Sequence, residues 1–476
     1  MTVRRIALIG YPAEYFLPFA TSLEQTGFEV FWVCALKADA KYLLRNGVPA
    51  SRILDVNHKF QPGSRSLAEC REGLARFEND VDPKVNDIIL MDRLISKKDW
   101  HFSIEYLHHV ATKIAGLLSS NGISLVSSWR DTAIQLMAML VARRLGIPIV
   151  IPTRIRIPQD VYGFCTAHHT ESFISLREPS ADDFAWAENF LEAFETQAVR
   201  PALKKSTRNF IDILRLMPPH LGAFLYEMRR SFSDIGNDYT RYPIGRLVVM
   251  YLRRRANLIS YKLFNPSVRN LPEDERFCIY ALHTQPESSI DVQGSYFSNQ
   301  LELIRHIARS LPSTHVLYVK VHPTDVDGKA LDFYRQVKET PSVVLVDYSI
   351  DSRSLLDRAS IVFALTGTIA YEAGLMQKPV IVFAKNYFNA LPTVHRCDTP
   401  TALPALISKM LSSNAPVSDG RSKVISFLAK IRSSCFDGEV SRTYGASNEP
   451  LRPSDMRQMQ VAYEMAHRTL TNEYRV

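Results

Sequence analysis

Cysteine is sparse and dispersed: Cys34, Cys70, Cys165, Cys278, Cys397 and Cys435 are spread over 476 residues. No two form a C-x-x-C pair, which argues against zinc ribbons, thioredoxin chemistry and a disulfide framework. Long apolar runs are missing too. The best candidate, Ile134 to Ile151, is broken by Arg143-Arg144, so it cannot be a spanning helix of about 20 apolar residues. Met1 leads straight into Ile6 to Ile9 and then Gly10 and Pro12, with no cleavable secretory stretch. The expectation is a cytoplasmic chain, with membrane association left open. No basic tail or nucleic-acid motif occurs, so nucleic acid is not an expected partner. No D-x-D run is placed for metal binding, and no metal or cofactor is expected.

What is present is the balance of a soluble globular protein, 46% apolar and 22% charged. The length argues for two domains, or two plus an insertion. A formal charge of +8 favours an anionic partner: a nucleotide, an acidic glycan or an anionic membrane surface.

The patterning predicts an α/β chain of two Rossmann-type, doubly wound sheets with a helical insertion between them. Residues 1–180 open as β-α-β: strand Arg5 to Gly10, helix about Tyr15 to Thr26, strand Phe28 to Cys34. Strand Ile123 to Ser127, helix Asp131 to Leu145 and strand Pro148 to Ile151 follow. Residues 181–270 read as a basic helical insertion with Lys204-Lys205, Arg208, Arg229-Arg230, Arg246 and Arg253-Arg254-Arg255. That stretch is either a solvated surface packed between domains or a peripheral membrane or polyanion contact, since Leu247 to Tyr251 and Leu258-Ile259 interleave with the arginines. In 271–400 the alternation restarts, with strands Phe277 to Ala281, His315 to Lys320, Val343 to Val346, Ile361 to Ala364 and Val380 to Phe383. Helices are expected over Gln300 to Ser310, Leu331 to Lys338, Ser352 to Arg358 and Ile369 to Met376. Residues 401–476 read as a mainly helical tail, interrupted by a polar stretch at Glu439 to Pro453.

In an open α/β sheet, ligands bind beyond the carboxyl ends of the strands, and three such ends here carry polar groups. Thr366-Gly367-Thr368 joins a strand to a helix, where free N–H groups, the helix dipole and two hydroxyls can face a phosphate while Gly367 permits close approach. A plain threonine N-cap would explain the same residues structurally. Glu372, one turn on, can reach a ribose hydroxyl pair, or is simply an exposed helix glutamate. Lys320 and His322-Pro323 end a second strand, and either cation could neutralise a donor phosphate. His283 and Glu287, in the run Leu282 to Ser289, are candidate acid/base groups.

The order Leu282-His283-Thr284-Gln285-Pro286-Glu287-Ser288-Ser289, Tyr318-Val319-Lys320-Val321-His322-Pro323, Thr366-Gly367-Thr368 with Tyr371-Glu372-Ala373, and Lys378 to Phe383 resembles the bacterial capsule polysaccharide biosynthesis proteins, which include Kdo transferases of capsule and lipopolysaccharide assembly. The resemblance implies a GT-B fold and a metal-independent site for a nucleotide-sugar, in the Kdo members a CMP-sugar transferred with retention to a glycan or lipid-linked acceptor. It assigns His322 and Pro323 to the nucleotide, Thr366 to Thr368 to the phosphate, and Glu372 to the ribose or base side. The acidic E-E-G-Y-x-R-P run of some Kdo transferases is missing.

In the N-terminal half, which usually holds the acceptor in a GT-B enzyme, Asp131 follows a strand and is the candidate nucleophile or general base, or an ordinary aspartate at a helix start. Arg130, Arg154 and Arg156 are candidates for binding an acidic sugar or acceptor. The alternatives are a nucleotide-sugar epimerase of the same architecture and a non-catalytic polysaccharide assembly protein.

Overall fold

A computed structural model describes residues 4–78, 82–158, 161–196, 228–229, 232, 236–237, 239–264, 266–412, 419–438 and 451–473. Residues 197–227 of the basic insertion expected over 181–270, including Lys204-Lys205 and Arg208, and most of the polar stretch at 439–453 lie outside the described residues.

The chain forms two doubly wound α/β bodies in a GT-B-like arrangement. The first sheet contains β1 (Arg4–Ile9), β2 (Phe28–Cys34), β3 (Ile53–Asp55), β4 (Leu125–Ser128), β5 (Ile149–Ile155), β6 (Val161–Cys165) and β13 (Cys435–Asp437), in the order β13-β6-β5-β4-β1-β2-β3. Only β6 and β13 run antiparallel to their neighbours. The second contains β7 (Phe277–Ala281), β8 (Val316–Lys320), β9 (Val343–Val346), β10 (Val362–Ala364), β11 (Val380–Val382) and β12 (Val394–Arg396), all parallel, in the order β12-β11-β10-β7-β8-β9. Parallel strands covered by helices on both faces read as near-continuous apolar runs, and the central ones here do so up to polar residues at their carboxyl ends, such as Ser127-Ser128 and Lys320. In β1, Ala7 and Ile9 enter one core while Ile6 and Leu8 enter another; in β7, Phe277 and Ile279 are divided in the same way from Cys278 and Tyr280.

Both sheets reverse their strand order once, between β1 and β4 and between β7 and β10. At such a switch point neighbouring connections leave to opposite faces, opening a crevice at the carboxyl ends. The loops after β1 and β4 meet at the first crevice, where Gly10 has φ +67° and an added Cβ would lie 2.9 Å from the Gln135 amide. The loops after β7 and β10 meet at the second.

Two connections depart from the sequence reading. The helix Ala181–Glu195, expected to begin an insertion, buries Ala187, Phe190, Leu191 and Phe194 in the core of the second body and packs along the helix Gly420–Ser433. The tail is more than helical: β13 extends the first sheet, and the last helix, Pro453–Glu473, returns to it. Its Met459, Ala462, Tyr463, Ala466 and Leu470 pack with Phe16 and Phe19. The Tyr463 hydroxyl is 2.7 Å from Ser127 Oγ and 3.2 Å from the Tyr11 hydroxyl.

Candidate functional site

The second crevice is built around His283, which follows β7. Gln300 fixes its backbone, accepting from His283 N at 2.8 Å and donating to its carbonyl at 3.1 Å. The ring is buried, and burial, reinforced by the neighbouring His322, Lys329 and Arg156, pushes its pKa down to about 3. Its Nε2 accepts from the Thr366 N–H at 3.4 Å, so the proton sits on Nδ1. A neutral, buried imidazole whose acceptor nitrogen already serves the Thr366 loop is a strut between the two sides of the crevice.

Gly367, not a threonine, occupies the N-cap of the helix Thr368–Leu375, and no side chain caps that helix. Ala370 N–H donates to the Gly367 carbonyl at 3.1 Å, and the Thr368 and Ile369 amides at the helix start are placed for an anion. A Cβ on Gly367 would stand 3.0 Å from His283 Nε2. The ring is buried, its backbone is pinned by Gln300 and its Nε2 accepts from Thr366 N–H, so it has little room to retreat. Gly367→Ala should cost about 1–3 kcal/mol by overpacking, read as a lower thermal midpoint; an unchanged midpoint would show the ring free to move.

His322, after β8, is half-buried. Its Nδ1 accepts from Thr324 N–H at 3.3 Å and lies 3.2 Å from Thr284 Oγ1, leaving the proton on Nε2. Burial, with Lys320, Arg156 and Lys329 nearby, pushes its pKa to about 4. At neutral pH it offers a hydrogen bond rather than the positive charge expected from sequence. Positive charge comes instead from Arg156, 3.5 Å from Glu287, and from Lys329, 3.7 Å from Asp325. Arg156 belongs to the first body and Glu287 to the second, so this pair spans the cleft and occupies the carboxylate expected as an acid/base group. Pro323 begins the turn carrying Thr324 and Asp325. Asp325-Val326-Asp327 does have D-x-D spacing, but both carboxylates pair with Arg254, at 3.3 and 3.0 Å.

Lys320 and Glu372 lie toward the β9 side, both under the influence of Asp351. Lys320 is buried, donates to the Tyr348 carbonyl at 3.2 Å, and burial lowers its pKa. Glu372 is not the exposed helix glutamate that a structural reading allows. Burial raises its pKa to about 7, against the pull of Arg353.

The first-body residues are less convergent. Asp131 is exposed beside the first crevice, its N–H donating to Gln135 Oε1 at 2.8 Å. Arg130 is buried and donates to Thr153 Oγ1 and to the carbonyls of His168 and His169. Arg154 lies within β5 opposite Tyr162. Sequence reasoning missed Lys329 and Gln300, which carry no motif, and also a cavity of about 370 Å³ at the domain junction. His168, His169, Tyr296, His306, Lys385 and Arg396 line it, and none of the crevice residues does.

Residues 226–392 match the model of a family described as capsule polysaccharide biosynthesis protein. The second domain carries that family's pattern. The match covers about a third of the chain and includes every donor-side residue named above, from His283 to Glu372. No curated protein matches. Among solved structures, the chain is similar to the beta Kdo 2,4 transferase of Thermosulfurimonas dismutans KpsC, with 11% identity over 72% of this chain and 88% of that one, at a TM-score of 0.38. The beta Kdo 2,7 transferase of the same protein shows 11% identity over 74% and 89%, at 0.32. UDP-GlcNAc 2-epimerase from Methanocaldococcus jannaschii, in complex with UDP-GlcNAc and UDP, shows 14% identity over 88% and 97%, at 0.27. These scores carry no argument about activity, and the capsule-family pattern rests on the second domain.

Proposed function

We propose that the chain is a glycosyltransferase of capsule or lipopolysaccharide synthesis that transfers a sugar, CMP-linked and Kdo-like, to a glycan or lipid-linked acceptor. The observation that carries this is the switch-point crevice between β7 and β10. There an uncapped helix N-terminus, a neutral His322 with its proton on Nε2, and the cations Arg156 and Lys329 surround a space suited to a phosphate. As the bond from the anomeric carbon to the leaving phosphate breaks, charge grows on that phosphate, and fixed donors stabilise it without reorganisation. Glu372 is read as the ribose contact. Asp131 is read as the nucleophile on the facing wall, its carboxylate displacing the nucleotide and the acceptor hydroxyl then displacing the carboxylate. Closure across the Arg156–Glu287 contact would exclude water.

The test is a thermal-shift series with CMP, UDP, GDP and dTDP, since a ligand of the native state raises its apparent stability by mass action. Stabilisation by CMP alone is the expected result. Another nucleotide acting instead would replace the sugar class, turnover without acceptor would favour an epimerase, and no response to any would sink the transferase reading.

A further inference from the structure

The helix Ile244–Phe264 has an unusual surface. Toward the protein it buries Leu258 and Tyr261, and Arg254 reaches Asp325 and Asp327. On the side facing away, Gly245, Val248, Val249, Leu252, Ala256, Ile259 and Leu263 recur at intervals of three and four, forming a stripe about 100° wide at helical periodicity. This stripe is solvent-facing: Val249 is 62% exposed, Leu252 58% and Leu263 73%. Arg246 and Arg253, seven residues apart, run along one edge; Arg255 and Lys262, also seven apart, run along the other. The helix contains no Asp or Glu.

We propose that this helix lies in the plane of an anionic lipid surface, the stripe entering the acyl boundary and the two cationic edges meeting lipid phosphates. An apolar stripe with basic residues on its flanks is the pattern of an interfacial helix. A second copy of the chain suits the face less well. Pairing two such stripes would set arginine edges against arginine edges with no carboxylate on either helix, whereas anionic headgroups neutralise both edges. Among the described residues no helix is long and apolar enough to cross a membrane, so this contact lies on the surface.

The helix is tied to the crevice. Arg254 holds Asp325, which accepts from Gln285 N at 3.2 Å in the loop after β7. Docking would therefore fix the crevice at a set height above the lipid, where a lipid-linked acceptor is presented; this consequence alone rests on the transferase reading.

The experiment is co-sedimentation of the full chain with phosphatidylcholine vesicles, with and without phosphatidylglycerol, a readout independent of turnover. Binding is expected only with phosphatidylglycerol, and should weaken as salt rises. Arg246→Gln and Arg253→Gln should each reduce it about five-fold. Leu252→Glu with Leu263→Glu should abolish it at an unchanged thermal midpoint, because both side chains are already in solvent. Absence of binding to the anionic vesicles, or full binding by the double glutamate variant, would overturn the proposal. So would a dimer that this variant splits while the unaltered protein ignores vesicles, since a second copy would then cover the stripe.

Discussion

Glu372→Gln should stabilise the nucleotide-free protein, by on the order of 2–3 kcal/mol at pH 7.5, while weakening nucleotide binding. Burial raises the Glu372 carboxyl from its ordinary 4.5 to about 7. A carboxyl whose folded value lies above its unfolded one favours the fold fully only below about pH 4.5. That contribution is lost as pH rises through 7, because the unfolded chain ionises first. Glutamine cannot ionise and escapes the loss. Urea or thermal midpoints of both proteins between pH 4.5 and 8 should diverge steadily, the variant becoming the more stable. Parallel curves would mean the carboxyl is better solvated than its position indicates. Unchanged nucleotide affinity would remove Glu372 from the site. Gain of stability with loss of binding marks a group kept for its ligand, since a packing residue would lose stability when replaced.

His322→Ala should lower kcat/KM for the sugar donor by about 10²–10³-fold, the usual effect of removing one fixed donor from a site of developing charge. Its fold should be little affected, because the ring is half-buried and bonded only to Thr284 and Thr324. His322→Asn, which keeps an N–H, should recover part of the loss. With its pKa held near 4 by burial and neighbouring cations, His322 should contribute no titration between pH 5 and 8 to the activity of the unaltered protein. Donor kinetics of the two variants and a pH profile decide the matter. Normal donor affinity in His322→Ala would remove the phosphate role, and a limb near pH 6.5 that disappears in the variant would show that His322 acts as an acid after all.

The second sheet was highly legible because buried parallel strands are written as short apolar runs. β7 and β9, and the helices Gln300–Ser310 and Ser352–Arg358, have the limits the pattern predicts. The polar strand ends were legible as a set for the same reason: such residues stand out directly after apolar runs. Their protonation was not. Whether His283 and His322 are charged depends on burial and on Lys329 and Arg156, which come from other turns of the chain. Gln300 reads as one more polar residue at a helix start until its contacts with the His283 backbone are seen. β13 was missed because three residues carry no periodicity, and its partner, β6, lies far back in the sequence. The return of the last helix was likewise invisible, since an amphipathic pattern announces a buried face without saying where it is buried.

That return has a consequence for biosynthesis. The parallel strands of the first sheet leave the ribosome early, yet the cluster that joins Ile6 and Leu8 to Phe16 and Phe19 is completed only when Met459, Tyr463 and Leu470 arrive. Roughly 300 residues separate the emergence of β6 from that event, on the order of 15 to 60 s at usual elongation rates. During that interval the nascent first domain displays an aromatic-rich flank, so it should be a client of trigger-type holding chaperones, and translation stalled before residue 453 should yield an aggregation-prone fragment even though its parallel strands are complete.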